Sequence, residues 1–521
     1  MPPPGGATFD IKIIKEEMNK MNPIKSSIGS LATRILKKND ENESGKSSFK
    51  DSKDKPILTA HFKNLVDLVE SDGKPAFLVK EDGVPRVLFK IELDGKPCFP
   101  PPKDQIPWLL PRADKVIEYF NVSKKLEPFE ADISLFEDLI TYHRGISELP
   151  DKEYYVLLAS WVMHTYLMES FHYSPILLFF AVPERGKSRT GKGLIYVAYR
   201  GVHTETLNEA NLFRWSENHR ASLFLDVRDL WNKAEKRGAD DILLSRMERG
   251  CKVSRVLWPE KGAFRDTKHY DVFGPTIIAT NEAIHPILDT RCISITMSDS
   301  VKNFERSVKP EEALTLKERL VEFRLRHLGE PLPKVPKPAR GRLGDILKPI
   351  YQIIRLANSN REKEFISLVK QIDEKRRLEK YQSIEAQIIY SLLELEFRVM
   401  KGFLPLKDIT EKVNLDKPER YHISPKRIGK TLRALGFEWG WTHGGTTSIA
   451  YDPIKIDHLS IAYGLKFAPP SPVSPPSPAS TTESNAELAK PDGQTGLGGL
   501  GEANYDTASD EEQDIEDSVD L

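Results

Sequence analysis

The segment from Ile176 to Tyr199 constrains this chain more than any other. Ile176-Leu-Leu-Phe-Phe-Ala-Val182 is a run of seven apolar residues, the length of a strand buried on both faces and well short of the roughly 18 needed to span a bilayer. It runs directly into Pro183-Glu-Arg-Gly-Lys-Ser-Arg-Thr-Gly-Lys-Gly193 and then into an apolar helical pattern, Leu194-Ile-Tyr-Val-Ala-Tyr199. A strand that hands over to a helix through a short turn must cross back before it pairs again, which favours a parallel neighbour. Helix and strand patterns alternate onward to about residue 300, so the expected fold class is α/β with a largely parallel sheet.

At 521 residues the chain is too long for one unit of roughly 100–200 residues. Residues 1–56 are polar and read as disordered, with a short helix over Ile28–Leu36. Residues 57–112 read as a small β-meander, its alternation over 76–98 broken by Glu-Asp-Gly at 81–83 and Asp-Gly at 94–95 and closed by a proline cluster. Residues 113–328 hold a helical lead-in, with its best helix over Lys152–Phe171, and then the α/β core. Residues 329–383 start as a basic, proline-rich linker (Gly329–Arg342) and continue as a strongly charged helical stretch. Residues 384–460 form another compact unit, and 466–521 read as a disordered Pro/Ser-rich and acidic tail. Cys98, Cys251 and Cys292 have neither disulfide-framework nor zinc-ligand spacing. With no apolar leader pattern after Met1 either, the expectation is a cytoplasmic protein with no membrane partner.

The balance of 76 Lys+Arg against 77 Asp+Glu is a cancellation. Residues 501–521 contain nine acids and no base, and taking those nine from the formal −1 leaves +8 for residues 1–500. A basic body with an acidic tail points to a polyanionic partner. The tail itself reads either as a solubility segment or as one that recruits a protein partner and competes for a basic groove.

Strand, Gly/Lys loop and helix is the layout of a P-loop. In such a loop backbone N–H groups and a helix N-terminus hold phosphates, a lysine reaches the β/γ oxygens, and a Ser/Thr hydroxyl holds Mg²⁺. Two registers overlap. Gly186, Gly191 and Lys192 have the glycine spacing but end in Gly193 where a hydroxyl is wanted. Gly186-Lys187-Ser188 has the hydroxyl but presents Ala181 at the first glycine position. Arg189 lies within the first and directly follows the second, and the alternative is a basic surface turn. Ala221-Ser-Leu-Phe-Leu-Asp226 is an apolar strand ending in a carboxylate, as a Mg²⁺-positioning strand does. Gly274-Pro-Thr-Ile-Ile-Ala-Thr-Asn281 is a further buried strand with a polar tip suited to orienting water. Leu288-Asp-Thr-Arg291 places a cation beside the next strand, where it can serve a neighbouring subunit's γ-phosphate.

The order of Pro-Glu-Arg-Gly-Lys-Ser, Ala-Asn-Leu-Phe-Arg (210–214), Leu-Phe-Leu-Asp, Gly-Pro-Thr-Ile-Ile-Ala and Leu-Asp-Thr-Arg resembles P-loop ATPases of AAA+ and superfamily 3 helicase type. These occur in the primase–helicase replication proteins of phages, plasmids and other mobile elements. The resemblance covers about residues 170–300. It implies ATP and Mg²⁺ as cofactors, Lys187 and Ser188 as the nucleotide-binding pair with Lys192 as runner-up, and Ser188 and Asp226 at the metal. It also implies Asn281 as the phosphate sensor and Arg291 acting across a subunit boundary in a homo-oligomeric ring. One departure stands out. Such strands usually end in Asp-Glu, whereas Asp226 is followed by Val227, so Asp229 would have to supply the second acid. Otherwise ATP is bound and hydrolysed slowly or not at all. Lys252–Lys268 reads as a hairpin with its turn at Pro259–Gly262. By the same resemblance, Lys261 and Arg265 touch a DNA backbone; the alternative is an ordinary solvated hairpin.

Residues 384–455 follow a winged-helix order: helices over Ile384–Phe397 and about Leu406–Val413, a third over 424–436, then Trp439–Thr442 and Thr447–Tyr451 around Gly444-Gly445. Ser424 suits an N-cap and Pro425 the first helical position, and Gly436 ends the helix. Ile428, Leu432 and Leu435 form one apolar stripe, while Lys426, Arg427, Lys430 and Arg433 give +4 with no acid. That is suited to a DNA groove, or else to a basic face of a protein-interaction module. Residues 57–170 show no Asp-x-Asp pair, so primer synthesis is not expected. His164 and His172 read as packed or polar-edge residues rather than ligands. The resulting expectation is an ATP-binding and ATP-hydrolysing, helicase-like protein of mobile-element replication that binds single- or double-stranded DNA. The rivals are a non-enzymatic DNA-binding initiator or regulator with a degenerate P-loop, and a structural adaptor.

Overall fold

Five parallel strands form the central sheet. Their spatial order is Cys292–Thr296, Ile176–Phe180, Thr276–Thr280, Leu223–Leu225 and Val202–Thr204. In this computed structural model the described residues are 56–466, apart from 128, 283, 301, 306 and 442–445. The expected disordered termini, the 28–36 helix, the acidic tail and the Gly444-Gly445 turn therefore lie outside the described residues. The strand earliest in the chain, 176–180, sits inside the sheet, and the connection from 276–280 to 292–296 crosses over it. The winding direction reverses there, which in open α/β sheets marks the crevice outside the carboxyl ends as the ligand site. Phe180 is level with Thr280 and Thr296, and Leu225 with Ile278 and Thr204, so the loops after all five strands open on one edge.

The helix Lys187–Val197 covers one face of the sheet. The lead-in helices Ala113–Ser123, Glu130–Arg144 and Glu153–Tyr166 pack with the later helices Leu314–His327, Gly341–Ala357 and Glu362–Tyr381. Every residue from Tyr154 to Tyr166 is buried, making this helix the hub of the bundle. Its Trp161 indole donates to the Pro175 carbonyl at 2.9 Å, at the foot of the first core strand. The pattern read as continuous to Phe171 breaks at Tyr166, and a 3-10 turn over Met168–Ser170 completes it.

Two expectations of organisation differ from the structure. The meander starts at Leu65, with strands Leu65–Ser71, Lys74–Glu81 and Val84–Leu88. Asp72-Gly73, like Asp82-Gly83 and Asp94-Gly95, has positive φ at both positions, the hairpin turn that Asp-Gly favours. Ile57–Leu58, Ile91–Leu93 and Lys96–Phe99 form a separate small sheet. The 329–383 stretch, expected as a basic linker and helical segment, holds the helices Gly341–Ala357 and Glu362–Tyr381 and packs into the large core. Leu343, Ile346, Leu347, Ile350, Ile353, Ile354, Phe365, Leu368 and Ile372 are buried in the core that also holds the meander and the central sheet. The charges that made this stretch look solvated occupy the outer faces of two amphipathic helices.

Buried arginines fasten the parts together. Arg200 donates to Asp67 Oδ1 at 2.7 Å and to the Ala60 and His219 carbonyls, tying the meander to the sheet. Arg324 reaches the Val66 carbonyl at 2.6 Å and both Glu169 oxygens at 2.7 Å. Arg246 donates to the hydroxyls of Thr276 and Ser216 and to the carbonyls of Val272, Ala221 and Pro275. Gly274 makes room for it, since a Cβ there would stand 2.9 Å from Nη2.

A second, smaller core lies in residues 384–459. It joins helices Ile384–Glu394, Leu406–Asn414 and Pro425–Ala434 to an antiparallel sheet ordered Phe403–Pro405, Thr447–Ala450, Trp439–Trp441. Among the described residues no helix is long and apolar enough to cross a membrane.

Candidate functional site

The chain leaves the strand 176–180 into the loop 181–186, whose Ala181 N–H donates to the Thr280 carbonyl at 3.3 Å. Glu184 and Gly186 take left-handed φ of 66° and 76° and turn the chain back into the helix that starts at Lys187. Thr190 fastens that first turn by donating both its N–H and its hydroxyl to the Gly186 carbonyl at 2.9 Å. Lys187 folds back over the loop, and its ammonium donates to the Ala181 and Val182 carbonyls at 2.8 and 2.7 Å. Partial burial lowers its pKa, and the Asp226 carboxylate opposes that shift. Ser188 is the second helical residue.

The remaining loop candidates point elsewhere. Gly191 lies within the helix, against the sheet, where a Cβ would stand 2.2 Å from the Phe224 ring. Lys192 is over a turn along the helix, 3.9 Å from the Glu205 carboxylate. Arg189 turns away from the loop, its Nε donating to the Ile146 carbonyl at 2.6 Å.

Asp226 follows its strand at the carboxyl edge, its N–H held by the Thr204 carbonyl at 3.0 Å. Val227 is 1% exposed and points into the core. Asp229 does not join Asp226. Its backbone is left-handed at the start of helix Leu230–Arg237, and its carboxylate accepts from Asn232 Nδ2 at 2.6 Å. It lines a recess of about 560 Å³ with Trp231, Thr280, Glu282 and His285. Asn281 is exposed at the tip of the strand 276–280. Arg291 precedes Cys292, which is level with Ile176 at the opposite, amino edge of the sheet. Within one chain it is therefore not brought to Lys187, and its guanidinium donates to the Ile287 carbonyl at 2.7 Å.

Beside Asp226 lies a group that sequence reasoning missed. Donor atoms of His203, Glu205 and Asp226 all fall within 4.8 Å of one another. His203 stacks on Phe224 at 4.9 Å, and burial lowers its pKa. The strand Val202–Thr204 is three residues long, too short for the i, i+2 spacing of His203 and the Glu205 that follows the strand to stand out. Hard oxygens from Ser188 and Asp226 suit Mg²⁺.

The expected hairpin pairs Lys252–Val256 with Thr267–Asp271. Lys261 and Arg265 are exposed near its end. Lys261 lies 4.0 Å from the Trp258 ring centroid, and Phe264 is fully exposed with φ 69°. These two aromatics were also missed, because nothing in the sequence separates a tip aromatic from a core one. In the C-terminal unit the Ser424 hydroxyl caps helix Pro425–Ala434 by accepting from the Arg427 N–H at 3.3 Å. Ile428 and Leu432 are buried, while Lys426, Arg427, Lys430 and Arg433 are all exposed, Arg433 lying over Trp439.

No protein-family model matches the chain, and no curated protein matches it. Solved structures show partial similarity, and three of them illustrate it. The apo C-terminal region of NrS-1 has a TM-score of 0.30 and 12% identity, covering 74% of this chain and 96% of that one. Inhibitor-bound JCV helicase has a TM-score of 0.24 and 13% identity, covering 58% and 72%. Cdc6p from Pyrobaculum aerophilum has a TM-score of 0.17 and 13% identity, covering 61% and 94%.

Proposed function

We propose that the chain is a P-loop ATPase that acts on DNA, of the helicase-like kind that serves replication of a phage, plasmid or other mobile element. The observation that carries this reading is the loop 181–186. It bends between an inner strand of a parallel sheet and a helix N-terminus, with Lys187 spanning it and a carboxylate strand end, Asp226, opposite. In this reading the nucleotide-binding register is Gly186-Lys187-Ser188, and Ser188 and Asp226 hold Mg²⁺. Gly191 serves packing against Phe224, and Arg189 supports the lead-in helices. Asn281 senses the terminal phosphate. Arg291, on the far edge of the sheet, acts only on a neighbouring copy in a ring. Lys261 and Arg265 on the hairpin, and Lys426, Arg427, Lys430 and Arg433 on a winged-helix recognition helix, contact the DNA backbone.

Equilibrium binding of ATP with Mg²⁺ to the full chain tests the core of this reading. Lys187→Ala should weaken binding by at least about 30-fold, as loss of a charged partner of a phosphate does, while Lys192→Ala should leave it nearly unchanged. Equal losses would mean that the register is wrong, and no binding at millimolar ATP would sink the P-loop. A second reading, an initiator that binds ATP without turning it over, is favoured by buried Val227 in the second-acid position. ATP-dependent strand displacement separates it from a motor.

A further inference from the structure

We propose that Glu205, just past the end of the strand next to that of Asp226, supplies the carboxylate that orients the attacking water and takes its proton. The proposal rests on the ATP-hydrolysing reading above. The need for it is local. Val227 is sealed in the core, and Asp229 is committed to Asn232 in a separate recess. The Asp226 strand therefore offers one acid, and that acid is assigned to the metal.

The neighbouring strand supplies another on the same side. Thr204 pairs with Leu225 in parallel register, so the residues that follow, Glu205 and Asp226, leave the sheet edge together. Side chains alternate along a strand, which puts His203 and Glu205 on one face, and Phe224 and Asp226 on one face. The stacking of His203 on Phe224 and the contact of Phe224 with Gly191 identify that face as the one under the Lys187 helix. Donor atoms of Glu205 and Asp226 lie within 4.8 Å. A single water making hydrogen bonds of about 2.8 Å can touch two oxygens up to about 5.6 Å apart.

Glu205 is also braced. Lys192 Nζ and His203 Nε2 each lie 3.9 Å from its Oε1, which gives the helix's second lysine a positioning role. Its side chain is 68% exposed, so bulk water reaches it. In the step, the water oxygen forms a bond to the γ-phosphorus, and the bond from that phosphorus to the β,γ-bridging oxygen breaks. The electron pair leaves with ADP, and one water proton passes to the Glu205 carboxylate and then to solvent.

The test uses the full chain with Mg²⁺, measuring phosphate release from ATP and binding of a fluorescent non-hydrolysable ATP analogue. Glu205→Gln should keep analogue affinity within about threefold and lower turnover by about 10²–10⁴-fold. Glu205→Asp should recover part of the loss. Wild-type turnover in Glu205→Gln overturns the proposal. So does a loss of analogue binding matching that of Lys187→Ala, which would make Glu205 a ligand for metal or phosphate. Analogue binding without any turnover in the wild type also overturns it while sparing the nucleotide site. Failure of the wild type to bind the analogue would instead remove the nucleotide reading and this proposal with it.

Discussion

The two cores of this chain treat charge in opposite ways. The large core seals ionisable groups inside, with Asp67, Asp132, Arg200, Arg246, Lys317, Glu318, Glu322 and Arg324 all buried. Among the described residues, the buried polar ones of the C-terminal core are Ser391, Asn414, Ser448 and Ser460, with no ionisable group among them. Removing a charge from water is costly unless it is paired and hydrogen-bonded, so the large core depends on each arginine meeting its acceptors. The small unit rests on a modest apolar cluster and leaves Lys426, Arg427, Lys430 and Arg433 in solvent, where an anionic partner can reach them. Buried charge holds the body together, whereas on the helix Pro425–Ala434 of the C-terminal unit it stays in solvent.

The largest expected effect tests the body. Arg200→Ala leaves Asp67 without its buried counter-charge and should cost about 3–5 kcal/mol, read as a lower urea midpoint. Lys426→Ala should stay within about 0.5 kcal/mol. Equal effects would erase the contrast. Ile428→Ala should remove about 2–5 kcal/mol from the small core, moving an early melting transition while a later one stays in place. A single shifted transition would show that the two cores unfold as one.

Acid sharpens the contrast at the next level. Burial holds the His143 imidazole at about 3 and that of His164 at about 4, the latter against the pull of the Tyr173 carbonyl. Both are neutral in the fold and regain an ordinary pKa of about 6.5 when unfolded. The unfolded chain then binds more protons. Stability is complete above about pH 6.5 and falls as pH drops toward 4, by up to about 1.4 kcal/mol per pH unit for each histidine. The body's urea midpoint should drop between pH 7 and 5, and a flat response would show that these imidazoles are charged in the fold. The smallest change in stability accompanies the triple substitution of Lys426, Arg427 and Lys430 by Ala. Melting should not move, while the slope of log K against log salt for duplex DNA should fall by about 2.7. An unchanged slope would detach this helix from DNA.

The parallel layout was legible because the strand 176–180 is an uninterrupted apolar run and 276–280 is centred on Ile277-Ile278-Ala279. So was the C-terminal helix, since capping and an apolar stripe are local signals. The unity of residues 57–381 was not legible, because it depends on contacts such as Arg200–Asp67, 133 positions apart. The same limit applied at the site. Gly191 and Lys192 carry a phosphate-loop spacing, but only the packing of Gly191 on Phe224 and the reach of Lys192 to Glu205 reveal what they touch. Glu205 escaped notice because its partner Asp226 arrives from another strand.

The fold-back of Lys187 onto two carbonyls of its own loop carries a final consequence. The bend is held shut by the same amine that would greet a guest, so a newcomer must win the ammonium from two neutral acceptors already in place. A polyphosphate brings negative charge, which those carbonyls cannot match; an uncharged molecule brings no such advantage. In the nucleotide-binding reading, the lysine would thus screen callers by charge before gripping any of them.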